Sequence, residues 1–100
     1  MTSRAVTVSN PLGLHARAAA RFVHLATQFS SQVRVGRDST VMDGKSIMGI
    51  LLLAAARGTT LTISADGSDE SAAVDALVQL VESGFGEAST AVGPGDTWNG

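Results

Sequence analysis

The sequence contains no cysteine, which excludes disulfides and thiol chemistry and fits a reducing cytoplasm. Charge is scarce too. Seven Lys and Arg against nine Asp and Glu leave a net charge of −2, so the general basic field that nucleic-acid binding relies on is missing. DNA and RNA are not expected partners. The longest apolar run, Ile47 to Ala56, is too short to span a bilayer, and the N-terminus lacks the basic and apolar blocks of a signal peptide. A soluble, intracellular, cytoplasmic chain without membrane contact is expected. His15 and His24 are joined by no cysteine or acidic cluster, so no metal site is predicted, and the glycines do not spell a nucleotide-binding loop. No cofactor is expected.

What is present is enough for one core. One hundred residues with 44% hydrophobic content suit a single compact domain and hardly two. Residues 1–87 are expected to form it. From Ala88 to Gly100 the composition shifts to Ala, Ser, Thr, Gly and Pro94 without a period, which predicts a disordered tail with Trp98 in solvent.

Within the domain the hydrophobic period changes repeatedly. Val6 and Val8 alternate with Thr7 over Ala5–Ser9 as in a half-buried strand. Ala19, Phe22, Val23, Ala26 and Phe29 then recur at helical steps between Ala16 and about Gln28, opposite Arg17, Arg21, His24 and Gln28. Gln32–Arg37 and Ser39–Met42, joined by a turn, predict an edge hairpin. Ser46 stands in N-cap position before a second helix closed by Arg57 and Gly58, and Thr60–Ala65 alternates as the fourth strand. Asp69 or Ser68 is predicted to cap a last helix with the apolar line Val74, Leu77, Val78 and Val81, ended at Gly84–Phe85 by a Schellman stop. The order βαββαβα predicts an α+β fold: a two-layer, open-faced sandwich of a four-stranded antiparallel sheet with three helices on one face.

The chemistry is expected in Asn10–Ala20. Pro11 and Gly13 mark a loop, the Ala-rich run after it starts a helix, and His15 falls at that helix's N-terminus. The first N–H groups of a helix have no internal partners and carry about half a positive charge, which favours an anion there. An imidazole so placed can carry a phosphoryl group, and the guanidinium fork of Arg17 suits phosphate oxygens. A histidine at a helix start is also commonly a plain cap or surface residue, so these two residues alone do not decide the matter.

Gly-Leu-His-Ala-Arg, with Gly-Lys-Ser-Ile-Met-Gly at Gly44–Gly49, resembles the HPr family, the histidine-containing phosphocarriers of the bacterial phosphoenolpyruvate-dependent sugar phosphotransferase system. The resemblance runs from about Val6 to Phe85. It implies strand order 1-4-2-3, and a carrier rather than an enzyme. His15 would accept a phosphoryl group on Nδ1 from phosphorylated enzyme I and pass it to a histidine of a sugar-specific IIA domain, with Arg17 stabilising the charge. It also implies regulatory phosphorylation of Ser46 by a dedicated kinase where one exists. The chain departs from the family at Ala18, where Pro is usual; the helix start loses rigidity but no reactive group.

The second helix is almost wholly apolar, with Ile50, Leu53 and Ala54 on one side and Ile47, Met48 and Leu51 on nearly the other. A helix on one layer cannot bury both. Ile47, Met48 and Leu51 are therefore predicted to dock partners, with Arg17, Arg21 and His24 as a polar rim, on a monomeric chain. The alternative function is a regulatory protein-binding module, or a carrier of the nitrogen-related branch, with the same fold and little role in sugar uptake.

Overall fold

The computed structural model describes residues 1–86. Seven elements follow in order: β1 (Thr2–Thr7), α1 (Ala16–Ala26), β2 (Gln32–Arg37), β3 (Thr40–Asp43), α2 (Ile47–Leu52), β4 (Thr60–Asp66) and α3 (Glu70–Glu82). The strands form one antiparallel sheet in the order β1-β4-β2-β3, with the three helices against one face, as the sequence and the family resemblance predict. Residues 88–100, expected to form a tail, and Trp98 with them, lie outside the described residues.

Register follows from alternation. Leu61, Ile63 and Ala65 of β4 face the helices, opposite Val6 of β1 and Val35 and Val33 of β2, and all six are buried. The other face is polar, where Ser3 and Ser64 hydroxyls meet at 2.8 Å across β1 and β4. The core between the layers is completed by Phe22 and Ala19 of α1, Ile50 of α2, Val74, Leu77 and Val81 of α3, and Phe85. Each large side chain in it contributes about 1.5–3 kcal/mol by leaving water. No helix among the described residues is long and apolar enough to cross a membrane.

Four expectations need correction. β1 begins at Thr2 rather than Ala5, because β4 is long enough to pair with it from Thr2↔Ala65 to Thr7↔Thr60; Val8 is still buried just past its end. β3 begins one residue later than expected, at Thr40 facing Arg37, and reaches Asp43.

α2 stops at Leu52, well before Arg57. Ala54 has left the helix with φ +50°, and Arg37 Nη1 donates to the carbonyls of Leu53 (2.7 Å) and Ala54 (2.8 Å), satisfying acceptors at the helix end. Ala54 is therefore exposed and not part of the packed side of α2.

Asp69 occupies the N-cap position of α3 but makes no cap bond. Its carboxylate instead accepts the Ser31 hydroxyl and the N–H groups of Ser30 (2.9 Å) and Ser31 (3.0 Å), tying the α1–β2 loop to α3. The Ser31 hydroxyl and these amides hold its pKa down to about 2. Glu70 beside it accepts from the Thr2 hydroxyl (2.7 Å) and the Gly67 N–H (3.2 Å) and pairs with the Met1 ammonium (3.1 Å), which hold its pKa to about 2 as well.

The end of α3 is as predicted. Gly84, at φ +72°, gives its N–H to Val81, and Phe85 gives its N–H to Leu80 at 2.8 Å, the paired bonds of a Schellman motif.

Candidate functional site

His15 is the N-cap of α1, with φ −78° and ψ 178°, and its side chain rather than a Ser or Asp oxygen takes the capping bond. The Arg17 N–H donates to His15 Nδ1 at 3.3 Å, so the lone pair of Nδ1 faces the unpaired amides of the helix start. The first helical bond, Ala19 N–H to the His15 carbonyl at 2.8 Å, comes directly after it. Ala18, where the family usually has Pro, is the third residue of the helix and is fully buried. It precedes the first internal bond, so the departure adds an N–H to the helix start.

The loop before His15 is held by contacts the sequence did not reveal. Leu14 is buried and donates its N–H to the Ala55 carbonyl at 2.9 Å. Buried Asn10 gives its side-chain amide to the Gly13 carbonyl at 2.8 Å. The early stop of α2 is what delivers Ala55 to this loop. The only local hint is an Asn three residues before a Gly, a common turn pattern.

Arg17, Arg21 and His24 lie along the exposed side of α1, as predicted, and together edge a shallow apolar depression between α1 and α3. Arg21 is not purely a rim residue. Its Nη1 donates to the Phe85 carbonyl and so also holds the end of the domain. Among the described residues no group of His, Asp and Glu is placed to hold a metal ion.

Ser46 caps α2 as predicted: its Oγ accepts the Gly49 N–H at 3.1 Å. Lys45 next to it gives its ammonium to the Phe29 carbonyl at 2.8 Å. On α2 the predicted rotation holds for Ile50 and Leu53, which are buried, and for Ile47 and Met48, which are 45% and 65% exposed. Leu51 must be corrected. It is half-buried against the core because α2 lies beside α1, and Leu52, at 62% exposure, takes its place on the open side. Leu12, in the loop before His15, is a further exposed apolar residue the sequence reading passed over.

Comparison with known proteins bears on this arrangement. Residues 2–83 match the family model described as "PTS HPr component phosphorylation site". The phosphocarrier protein HPr of Cupriavidus necator is 49% identical over 87 residues, covering 87% of this chain and 98% of that protein. The phosphocarrier protein NPr of Shewanella violacea is 40% identical over 86 residues, covering 86% of this chain and 94% of that protein. A crystal structure of HPr-C-His from Thermoanaerobacter tengcongensis superposes with a TM-score of 0.84 at 47% identity, covering 87% of this chain and 98% of that one. With its sheet order, its histidine-capped helix and these relatives, the chain belongs to the HPr-like family of phosphocarriers of the bacterial phosphotransferase system.

Proposed function

We propose that the protein carries a phosphoryl group on His15 Nδ1, taking it in the cytoplasm from phosphorylated enzyme I and giving it to a histidine of a IIA domain. The observation that supports this most is the Arg17 N–H aimed at Nδ1. A nitrogen that accepts a hydrogen bond carries its lone pair rather than a proton, so Nδ1 is the nucleophile and Nε2 holds the ring proton. In the transfer the Nδ1 lone pair forms the new bond to phosphorus. The bond between phosphorus and the donor breaks, with its electron pair leaving on the donor. The charge on the three phosphoryl oxygens then falls beside the amides of the α1 start and the Arg17 guanidinium. Because the helix end is exposed, the hold is loose, and a carrier must release what it takes.

Ile47, Met48 and Leu52, with part of Leu51, form the docking patch, and Arg17, Arg21 and His24 its basic rim. Ser46 is the regulatory residue: a phosphate there would sit on the α2 start and place about two negative charges beside that patch, weakening docking rather than folding.

The test is incubation with enzyme I and labelled phosphoenolpyruvate. The wild-type chain should take up label that is lost in acid and kept in base, and His15→Ala should take up none. Uptake by His15→Ala at the wild-type rate would remove the reading. The Shewanella violacea relative, named as NPr, is compatible with a second reading in the nitrogen-related branch; faster uptake from that branch's own enzyme I than from the sugar branch's would select it.

A further inference from the structure

Where α2 ends, local preference and tertiary contact disagree. Leu53-Ala54-Ala55-Ala56-Arg57 is a run of strong helix formers with no Gly, Asn or Pro to stop it, so the local sequence favours carrying the helix on. It stops nonetheless. Ala54 stands at φ +50°, in the left-handed region where glycine is the usual helix-ending residue and a Cβ is strained. In a continued helix the carbonyls of Leu53 and Ala54 would accept the N–H groups of Arg57 and Gly58, one turn on. Instead the Gly58 N–H goes to the Val8 carbonyl at 2.8 Å, and Arg37 Nη1, from the end of β2, fills both acceptors at 2.7 and 2.8 Å.

What this stop delivers is the loop of the candidate site. Buried Ala55 turns its carbonyl to the Leu14 N–H at 2.9 Å, whereas in a continued helix that carbonyl would accept the Thr59 N–H. The next N–H, that of His15, closes on the Gly13 carbonyl at 2.9 Å. Arg37 thus holds Ala54, Ala54 aims Ala55, and Ala55 fixes the peptide before His15. We propose that Arg37 is a positioning residue for His15, a guanidinium outside both the docking patch and its rim that sets the imidazole through the left-handed turn at Ala54.

Removing the guanidinium leaves two acceptors open and lets Ala54 relax toward the helical region its neighbours prefer, so Ala55 turns away from Leu14. A misplacement of about 1 Å at a reacting group, caused far from the chemistry, is enough to cost about a hundredfold in rate. A nucleophile on an exposed helix end therefore depends on the loop that leads into it. Glycine at position 54 would take φ +50° without strain and end the helix by its own preference, so it should hold the turn when the guanidinium is gone. The effect on transfer rests on the phosphocarrier reading; the setting of the loop does not.

Arg37→Ala, Ala54→Gly and the double variant are compared by amide hydrogen exchange at Leu14 and by label uptake from enzyme I. In Arg37→Ala the Leu14 N–H should exchange about tenfold faster while the amides of β4 keep their protection. The kcat of uptake should fall about tenfold with KM nearly unchanged, since Arg37 lies outside the proposed docking surface. In the double variant both should return to within about twofold of Ala54→Gly alone. Glycine restores the turn but no charge, so this recovery excludes electrostatic steering of enzyme I as the cause. Unchanged Leu14 protection in Arg37→Ala overturns the proposal. So does a loss that Ala54→Gly fails to restore, because the turn is then not the route, and so does an equal loss in β4, which would make Arg37 a support of the whole fold. Lost protection with wild-type uptake overturns it as well, since the loop then does not set the acceptor. Absent uptake in the wild type removes the phosphocarrier reading and leaves the exchange result to decide whether Arg37 sets the loop.

Discussion

At Gly13 the backbone has φ +65°, and a Cβ there would stand 2.5 Å from the Ala55 carbonyl oxygen, the acceptor of the Leu14 N–H. The residue two before His15 therefore sets the loop that presents His15. Gly13→Ala should cost about 1–3 kcal/mol, from left-handed strain and the displaced carbonyl, and should slow phosphoryl uptake as well, because the loop that sets His15 must shift. Thermal unfolding and label uptake from enzyme I check the two parts. A variant as stable and as fast as the wild type would mean that the loop gives way without moving His15. Arg21 makes a different point at this scale: its bond to the Phe85 carbonyl gives a side chain of the proposed docking rim a structural duty.

Among the elements, α2 separates folding from docking most clearly. Ile50 is fully buried and Met48 is 65% exposed, two residues apart on a helix only six residues long. Ile50→Glu should unfold the domain, since a carboxylate in that core has no partner. Met48→Glu should leave the melting temperature nearly unchanged while slowing uptake from enzyme I, by placing an unpaired charge in an apolar contact. Leu51→Glu should fall between them in stability, in keeping with its half-burial. The series is read by thermal unfolding beside transfer rate, and a stable Ile50→Glu would overturn the orientation of the helix. Ser46 belongs to the folding side of this helix as it stands, because its Oγ holds the first turn through the Gly49 N–H.

For the molecule as a whole, the two carboxylates whose pKa values folding lowers sit where β1, the α1–β2 loop and α3 meet. Asp69 and Glu70 have pKa values near 2, against ordinary values of 3.8 and 4.5. Groups lowered on folding stabilise the native state above their unfolded pKa, and that contribution is lost as pH falls toward 2. The Met1 ammonium runs the other way. Its hydrogen bond to Glu70 and that carboxylate's charge raise its pKa above 8.0, so its contribution is complete below 8.0 and is lost as pH rises through the folded value. Stability should therefore be greatest between about pH 5 and 8. Glu70→Gln should flatten both limbs and Asp69→Asn only the acid one, as read from melting temperature against pH. An acid limb left unchanged by both substitutions would show that other carboxylates govern it.

The sequence by itself determined the features whose causes lie within a few residues: the helix stripe from Ala19 to Ala26, the hairpin of β2 and β3, the Ser46 cap, the Gly84–Phe85 stop, and the place of His15 at a helix start. Each rests on side-chain period or on a hydrogen bond between close neighbours in the chain, which pattern reading captures. The family resemblance added the strand order. Tertiary structure decided the rest. It ended α2 at Leu52 by bringing Arg37 to the last carbonyls, exchanged Leu51 for Leu52 on the open side, took Asp69 from its cap to Ser30 and Ser31, and set the His15 loop against Ala55. In each case the partner is 16 residues or more away along the chain, or is a neighbouring helix, so nothing in the local period could have announced it.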